Sequence, residues 1–293
     1  MSAASQYVQL SSGYQMPLVG IGTFQVTGKN RIHDVIDEAL NVGYHSIDTA
    51  AVYRNEEDIG YALSSGLLHK YGLERENIFL TTKLAPSDHG DPRQIRNAVE
   101  TSLRALGSNY IDLYLIHWPG AARIPENSVD NIKLRSITWQ TLVDLKSQGF
   151  LRSIGVSNYT VKHLEHLLQD CHGVKPAVNQ IECHPHYRQE QLRDFCNKEG
   201  IHVQAYSSLG TSNENSLLKD SIVCNIAKEI NVSPAQLLLK WALQQGIGII
   251  PKATQKQHIR DNIKLDFDIN DDQMKRLSVL PQKKYAWNPD NVV

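Results

Sequence analysis

VGIGTF at residues 19–24 opens a stretch in which short apolar runs alternate with longer amphipathic ones: a helical pattern from Arg31 to Asn41, then YHSID at 44–48, then a second helical pattern from Glu56 to Lys70. Apolar runs this short, separated by helical segments, are the pattern of parallel strands covered by helices. Outward from it the alternation continues through NIFLTTKL (77–84), YIDLYLIHW (110–118), LRSIGVS (151–157), AVNQIE (177–182), HVQAYSSL (202–209) and GIGIIP (246–251). The intervening stretches carry apolar residues at helical spacing, as at Ile95, Val99, Leu103 and Leu106, and Gly149 is placed to stop the helix through Leu142 and Leu145. Eight strand-and-helix units predict a parallel (β/α)8 TIM barrel, an α/β fold. The rival doubly wound sheet requires a GxGxxG turn after its first strand. Here Gly20 and Gly22 are followed by Thr23, Phe24 and Val26, and that fingerprint fails.

The chain has 293 residues and no proline-rich, serine-rich or charge-rich linker, so one barrel domain over residues 1–293 is the expectation. The opening YVQLSSGYQMP alternates around Ser12-Gly13 and predicts an N-terminal hairpin plugging the barrel bottom. Two loops exceed the barrel minimum, Pro119 to Lys133 and Ser207 to Ser221. Both follow strand C-terminal ends, the face on which a barrel builds its site.

With 30 basic and 31 acidic residues the formal net charge is -1, so no global field draws nucleic acid or anionic lipid. No run approaches the ~18 apolar residues of a membrane span, and the N-terminus lacks the basic and apolar regions of a signal peptide. The four cysteines form no CxxC pair and read as free, mostly buried thiols. A cytoplasmic, monomeric protein is expected.

Asp48 falls at the end of the second barrel strand, Lys83 of the third and His117 of the fourth, with Tyr53 five residues past Asp48. Side chains from successive strand ends meet at one rim of a barrel. Singly, each has a plainer explanation: Asp48 as a helix cap, Tyr53 as packing, Lys83 as a surface cation, His117 as a core histidine. Their joint placement carries the catalytic reading.

At these residues the chain resembles the aldo-keto reductases, over essentially its whole length. GYHSIDTAAVYRNEEDIG (43–60) is similar to the signature holding that family's aspartate and tyrosine, and IPKATQKQHIRDN (250–262) to the signature around the cofactor's adenosine phosphate. TTKL (81–84), LIHWP (115–119), SIGVSNY (153–159), NQIECHP (179–185) and AYSSLG (205–210) follow the family's order. The resemblance implies reduction of aldehydes and some ketones by hydride from NADPH. Carbonyl reduction also needs a proton donor whose pKa is brought toward the working pH. Tyr53 is assigned that role, with Lys83 lowering its pKa, Asp48 holding Lys83, and His117 orienting the carbonyl.

The resemblance further implies a cofactor gripped around the barrel mouth. Tyr206 would stack on the nicotinamide, Ser157, Asn158 and Gln180 would meet its carboxamide, and Asp48 would lie against it. Gly22 and Thr23 would permit close backbone approach, while Ser207, Leu209 and Thr211 would line the pyrophosphate. Lys252, Ala253, Thr254, His258 and Asn262 would surround the adenosine 2′-phosphate. Many members have serine at the position of Ala253 and arginine at that of His258. A histidine is a poorer phosphate partner than a bidentate guanidinium, so NADPH is expected to win by a narrowed margin, with NADH usable. Phe24, Trp118 and Trp287 would wall an apolar pocket beside Tyr53 and His117.

Two other readings start from the same residues. His184 and His186 in ECHPHY look like an HxH pair, which with His117 suggests a metal-dependent barrel hydrolase, although in such enzymes the pair ends the first strand. A non-catalytic NADPH-binding regulatory subunit would share the fold; the intact tetrad argues against it, and no metal is expected.

Overall fold

The computed structural model describes residues 6–210 and 217–293. An antiparallel hairpin, β1 (Tyr7–Gln9) and β2 (Gln15–Pro17), comes first. Leu10 and Met16 pack with Phe79, Leu113, Leu115 and Val178, so the hairpin plugs the barrel bottom as its sequence predicts. Eight parallel strands follow: β3 (Ile21–Gly22), β4 (Ser46–Asp48), β5 (Phe79–Leu84), β6 (Ile111–Ile116), β7 (Leu151–Ser157), β8 (Val178–Glu182), β9 (His202–Tyr206) and β10 (Gly248–Ile249). Each pairs with its neighbour in chain order. The last strand returns to the first through parallel bridges Val19–Ile249 and Gly22–Lys252, with Gly20 N–H donating to Ile249 O at 2.8 Å. The fold is therefore a (β/α)8 barrel, as the alternation implies.

The helices of the outer layer are α1 (Lys29–Asn41), α2 (Glu56–Ala62), α3 (Leu68–Lys70), α4 (Pro92–Leu106), α5 (Asp130–Ser147), α6 (Val161–Gln169), α7 (Glu190–Glu199), α8 (Ser221–Glu229), α9 (Pro234–Leu243), α10 (Lys256–Asp261) and α11 (Asp271–Ser278). α4 illustrates their logic. Asp91 caps it by accepting from Arg93 N–H, Pro92 sits where no amide donor is needed, and Gly107 ends it in the left-handed region. Its buried stripe is Ile95, Val99, Leu103 and Leu106; covering each such side chain contributes about 1.5–3 kcal/mol.

Three expectations are corrected. The outermost strands are short: VGIGTF contributes only Ile21–Gly22, because Thr23 leaves the ladder into a turn that Val26 N–H closes on its carbonyl at 3.0 Å, and GIGIIP contributes only Gly248–Ile249. The helix expected over Glu56–Lys70 is broken by a π turn at Leu63–Leu67, where Gly66 takes φ 100°. α1 begins at Lys29, ahead of the expected Arg31. Of the four free cysteines, Cys183 and Cys196 are buried and Cys171 and Cys224 half-buried. No helix among the described residues is long and apolar enough to cross a membrane.

Candidate active site

The parallel register aligns the strand ends at one rim: Asp48 pairs with Thr81, Lys83 with Leu115, and Ser157 with Gln180. Lys83, one residue before the end of β5, is fully buried, and its ammonium donates to Asp48 Oδ1 at 2.7 Å and to Thr49 O at 2.7 Å. Burial holds the Lys83 pKa below the ordinary lysine range, opposed by the charge of Asp48. The second oxygen of Asp48 accepts from Gln180 Nε2 at 2.7 Å, and the same amide donates to Gln204 Oε1 at 2.8 Å. A continuous buried polar line thus crosses the barrel from Lys83 to Gln204.

Above it Tyr53 closes a 3₁₀ turn, Ala51–Tyr53, and Arg54 follows in the left-handed region at φ 57°. This turn is held from below by Asn55, which is fully buried. Its amide donates to Thr23 O at 3.0 Å and Val26 O at 2.9 Å, and its carbonyl accepts from Thr49 Oγ1 at 2.6 Å. Asn55 therefore ties the loops after β3 and β4 together. The Tyr53 ring lies 5.1 Å from Phe24, 5.7 Å edge-on from His117, and 5.1 Å from Lys83 Nζ.

The lowering of the phenol's pKa expected from Lys83 is opposed by two influences. Burial and, after it, the carboxylate of Asp48 push Tyr53 well above the ordinary tyrosine range. The Lys83 ammonium directs its hydrogen bonds to Asp48 and Thr49 and not to the phenol. His117 is pulled the other way: burial, then the charges of Lys83 and His89, lower it to about 3. Its ring is neutral at physiological pH. Nδ1 is buried without a partner among the described residues, which leaves Nε2 for the open side.

At the mouth, Asn158 and Ser207 occupy left-handed backbone conformations at φ 64° and 50°, strained for residues with side chains. The Asn158 amide donates to His117 O at 3.0 Å and Ser157 Oγ at 3.1 Å, and its oxygen accepts from Tyr206 Oη at 2.6 Å. Ser157 Oγ donates to Gln180 O at 2.8 Å. The residues expected to meet a carboxamide are thus brought together, but Ser157 and Asn158 are bonded within the set. Gln180 Oε1 is the acceptor left without a partner among the described residues.

Comparison with known proteins fits this constellation. The profile of the Aldo/keto reductase family matches residues 18–280. The chain belongs to the aldo/keto reductase family. It is 38% identical to glyoxal reductase of Bacillus subtilis, over 98% of this chain and 97% of that protein. It is 34% identical to glycerol 2-dehydrogenase (NADP(+)) of Saccharomyces cerevisiae, over 96% of this chain and 92% of that one. The crystal structure of an aldo/keto reductase from Brucella melitensis superposes with a TM-score of 0.82 at 37% identity, covering 93% of this chain and 98% of that one.

In this aldo/keto reductase Gly22, Thr23 and Lys252, of the other expected cofactor residues, lie at the seam where the barrel closes. Gly22 needs to be glycine: a Cβ there would stand 2.6 Å from Ile250 O. Thr23 is fully buried, its hydroxyl donating to Asp48 O at 2.9 Å. Lys252 and His258 are exposed, Thr254 and Leu209 half-exposed, and Ala253 and Asn262 buried. Thr211 lies outside the described residues. Arg260 turns away, forming a two-point pair with Glu38 at 2.7 and 3.2 Å.

The expected apolar wall is only partly assembled. Phe24 contacts Tyr53, and Trp118 is half-buried beside Gly120. Trp287 is 72% exposed and makes no ring contact among the described residues. It rides between two anchors. Before it, buried Glu182 at the end of β8 accepts from Lys284 Nζ at 3.0 Å and from the amides of Tyr285 at 2.6 Å and Ala286 at 2.9 Å. After it, Arg135 donates to Val293 O at 2.7 Å, and His163 Nε2 lies 2.8 Å from Val292 O. The histidines of ECHPHY serve the first anchor: His184 Nε2 meets Glu182 at 3.0 Å, and His186 contacts Tyr285 Oη at 2.8 Å and Asp220 at 3.3 Å.

Sequence reading missed Asn55, Gln204 and Glu182. An Asn directly before the helix that starts at Glu56 reads as a helix cap, and Gln204 sits in a strand that reads as apolar. The signal available for Glu182 was a carboxylate inside a buried strand, a residue type almost never fully buried unless paired.

Proposed function

We propose that this aldo/keto reductase reduces aldehydes and some ketones to alcohols with NADPH, as an alcohol:NADP+ oxidoreductase in which Tyr53 gives the proton. The observation that carries this reading is the Tyr53 ring, which lies 5.1 Å from Nζ of the buried, Asp48-paired Lys83 and 5.7 Å edge-on from the neutral ring of His117.

The residues present fit a nicotinamide dinucleotide. Gln180 Oε1 offers an unfilled acceptor, the Tyr206 ring is fixed through Asn158, Gly22 leaves the seam without a side chain, and Lys252 is an exposed cation at its far end. Ser207 and Leu209 follow Tyr206 in the chain, where the family resemblance puts the pyrophosphate; Thr211, expected there too, lies outside the described residues. When bound, the nicotinamide supplies the hydride. His117 donates Nε2–H to the carbonyl oxygen, which a neutral ring does without adding charge. Tyr53 transfers its phenolic proton to that oxygen as negative charge develops there. Its raised pKa keeps it protonated across the physiological range, and the proton moves only as the carbonyl oxygen gains alkoxide character and becomes the stronger base. Lys83 and Asp48 hold the floor rigid and give the nascent phenolate a cation 5.1 Å from its ring centroid.

Phe24 and Trp118 suit aromatic and medium-chain aldehydes. The names of the relatives, glyoxal reductase and an NADP(+) glycerol dehydrogenase, support small carbonyls and a phosphorylated cofactor. Ala253 and His258 leave room for some use of NADH.

The test is to mix the protein with NADPH and 4-nitrobenzaldehyde and follow the cofactor's absorbance, alongside Tyr53→Phe. Wild type consumes NADPH, and the variant loses about 10²–10⁴ of the rate with cofactor affinity unchanged. Wild-type binding without turnover points instead to the regulatory subunit, and a higher kcat/KM with NADH overturns the cofactor assignment.

A further inference from the structure

The seam that carries Lys252 faces the first turn of α1, on which two cations diverge. Lys29 lies 3.3 Å over the ring of Tyr61. Arg31, exposed, reaches across the seam instead, its Nη2 3.5 Å from Thr254 Oγ1 although the two residues are 223 apart in sequence. Arg31 has no carboxylate partner among the described residues. The helix that bears it is tied to α10 by the Glu38–Arg260 pair and by the Tyr44 hydroxyl, just after α1, which donates to Ile259 O at 3.2 Å. That lock also consumes Arg260, the guanidinium nearest in sequence to the lysine signature.

We propose that Arg31 is a specificity-determining residue for the cofactor's 2′-phosphate, binding it with Lys252 beside the Thr254 hydroxyl. This rests on the reading of the chain as an NADPH enzyme. The chemistry follows from the side chains: a phosphate monoester matches a planar guanidinium bidentately, whereas Lys252 offers a point charge and His258 has no such fork. Helix α1 thereby supplies, from the other side of the seam, the donor geometry that α10 lacks. A nucleotide without the 2′-phosphate gives Arg31 nothing to bind, so its contribution is discriminatory.

Calorimetric titration of the protein with adenosine 2′,5′-bisphosphate and with adenosine 5′-monophosphate isolates this contact, since the probes differ only in that phosphate and no turnover is involved. Wild type binds the bisphosphate more tightly. Arg31→Ala weakens bisphosphate binding about ten-fold or more and changes monophosphate binding less than about two-fold, with Arg31→Lys between. A preference that survives Arg31→Ala but is lost in Lys252→Ala overturns the role of Arg31 alone, as does equal weakening of both probes by Arg31→Ala. A wild type that binds the two probes equally overturns the NADPH reading and this inference together.

Discussion

Lys83 Nζ lies 2.7 Å from Asp48 Oδ1 with neither side chain more than 3% exposed, so two opposite charges neutralise one another inside the barrel. Removing one leaves the other buried and unpaired, which costs about 3–5 kcal/mol. Lys83→Met and Asp48→Asn are each expected to lower the urea midpoint strongly. The double variant recovers part of that loss in stability but none of the activity. Chemical denaturation of the three proteins beside wild type checks it, and additive losses would mean the pair is not coupled.

Asn55 makes three buried hydrogen bonds that join the loops carrying Phe24 and Tyr53. Asn55→Ala removes the partners of the Val26 carbonyl and the Thr49 hydroxyl and is expected to destabilise by about 3 kcal/mol. Because Tyr53 is two residues away, kcat should fall while NADPH affinity holds. Stopped-flow reduction with melting curves separates the two effects.

Stability should fall on mild acidification. Burial lowers His89 to about 4, His117 to about 3 and His202 to about 4, from an ordinary value of 6.5. Between pH 6.5 and about 4 the unfolded chain binds protons that the native state refuses, so stability is complete above that window and declines as pH descends through it. Melting temperatures from pH 8 to 4.5, with proton uptake on unfolding, test the sign; flat stability across that range would contradict it.

Glu182 anchors the segment bearing Trp287. Burial alone would raise its pKa, but His184, the amides of Tyr285 and Ala286, and Lys284 bring it to about 2. A carboxylate depressed in the native state stabilises above its unfolded value and loses that contribution only as pH falls toward about 2. The anchor is therefore charged wherever the enzyme works. Glu182→Gln should speed amide hydrogen exchange at residues 284–287 by about ten-fold or more, as a charge-assisted bond set becomes neutral. Exchange confined to residues elsewhere would refute the anchor.

The amino-acid sequence by itself determined the barrel and the strand-end positions of Asp48, Lys83 and His117, because alternation and apolar runs are local periodic signals that a parallel sheet must display. It also marked Tyr53, through a family signature spanning only residues 43–60. What it did not carry is where each polar side chain spends its hydrogen bonds. Arg260 and Arg31 are both exposed cations on helices, yet one is taken by Glu38 and the other reaches Thr254. Lys83 was legible as a neighbour of Tyr53, while the sign of the phenol's shift came from burial and from the charge of Asp48. Trp287 read as a pocket wall and stands in solvent, held apart by anchors at Glu182 and Arg135. These outcomes depend on partners up to 223 residues distant, chosen by packing and desolvation once the barrel has closed, and no local pattern encodes them.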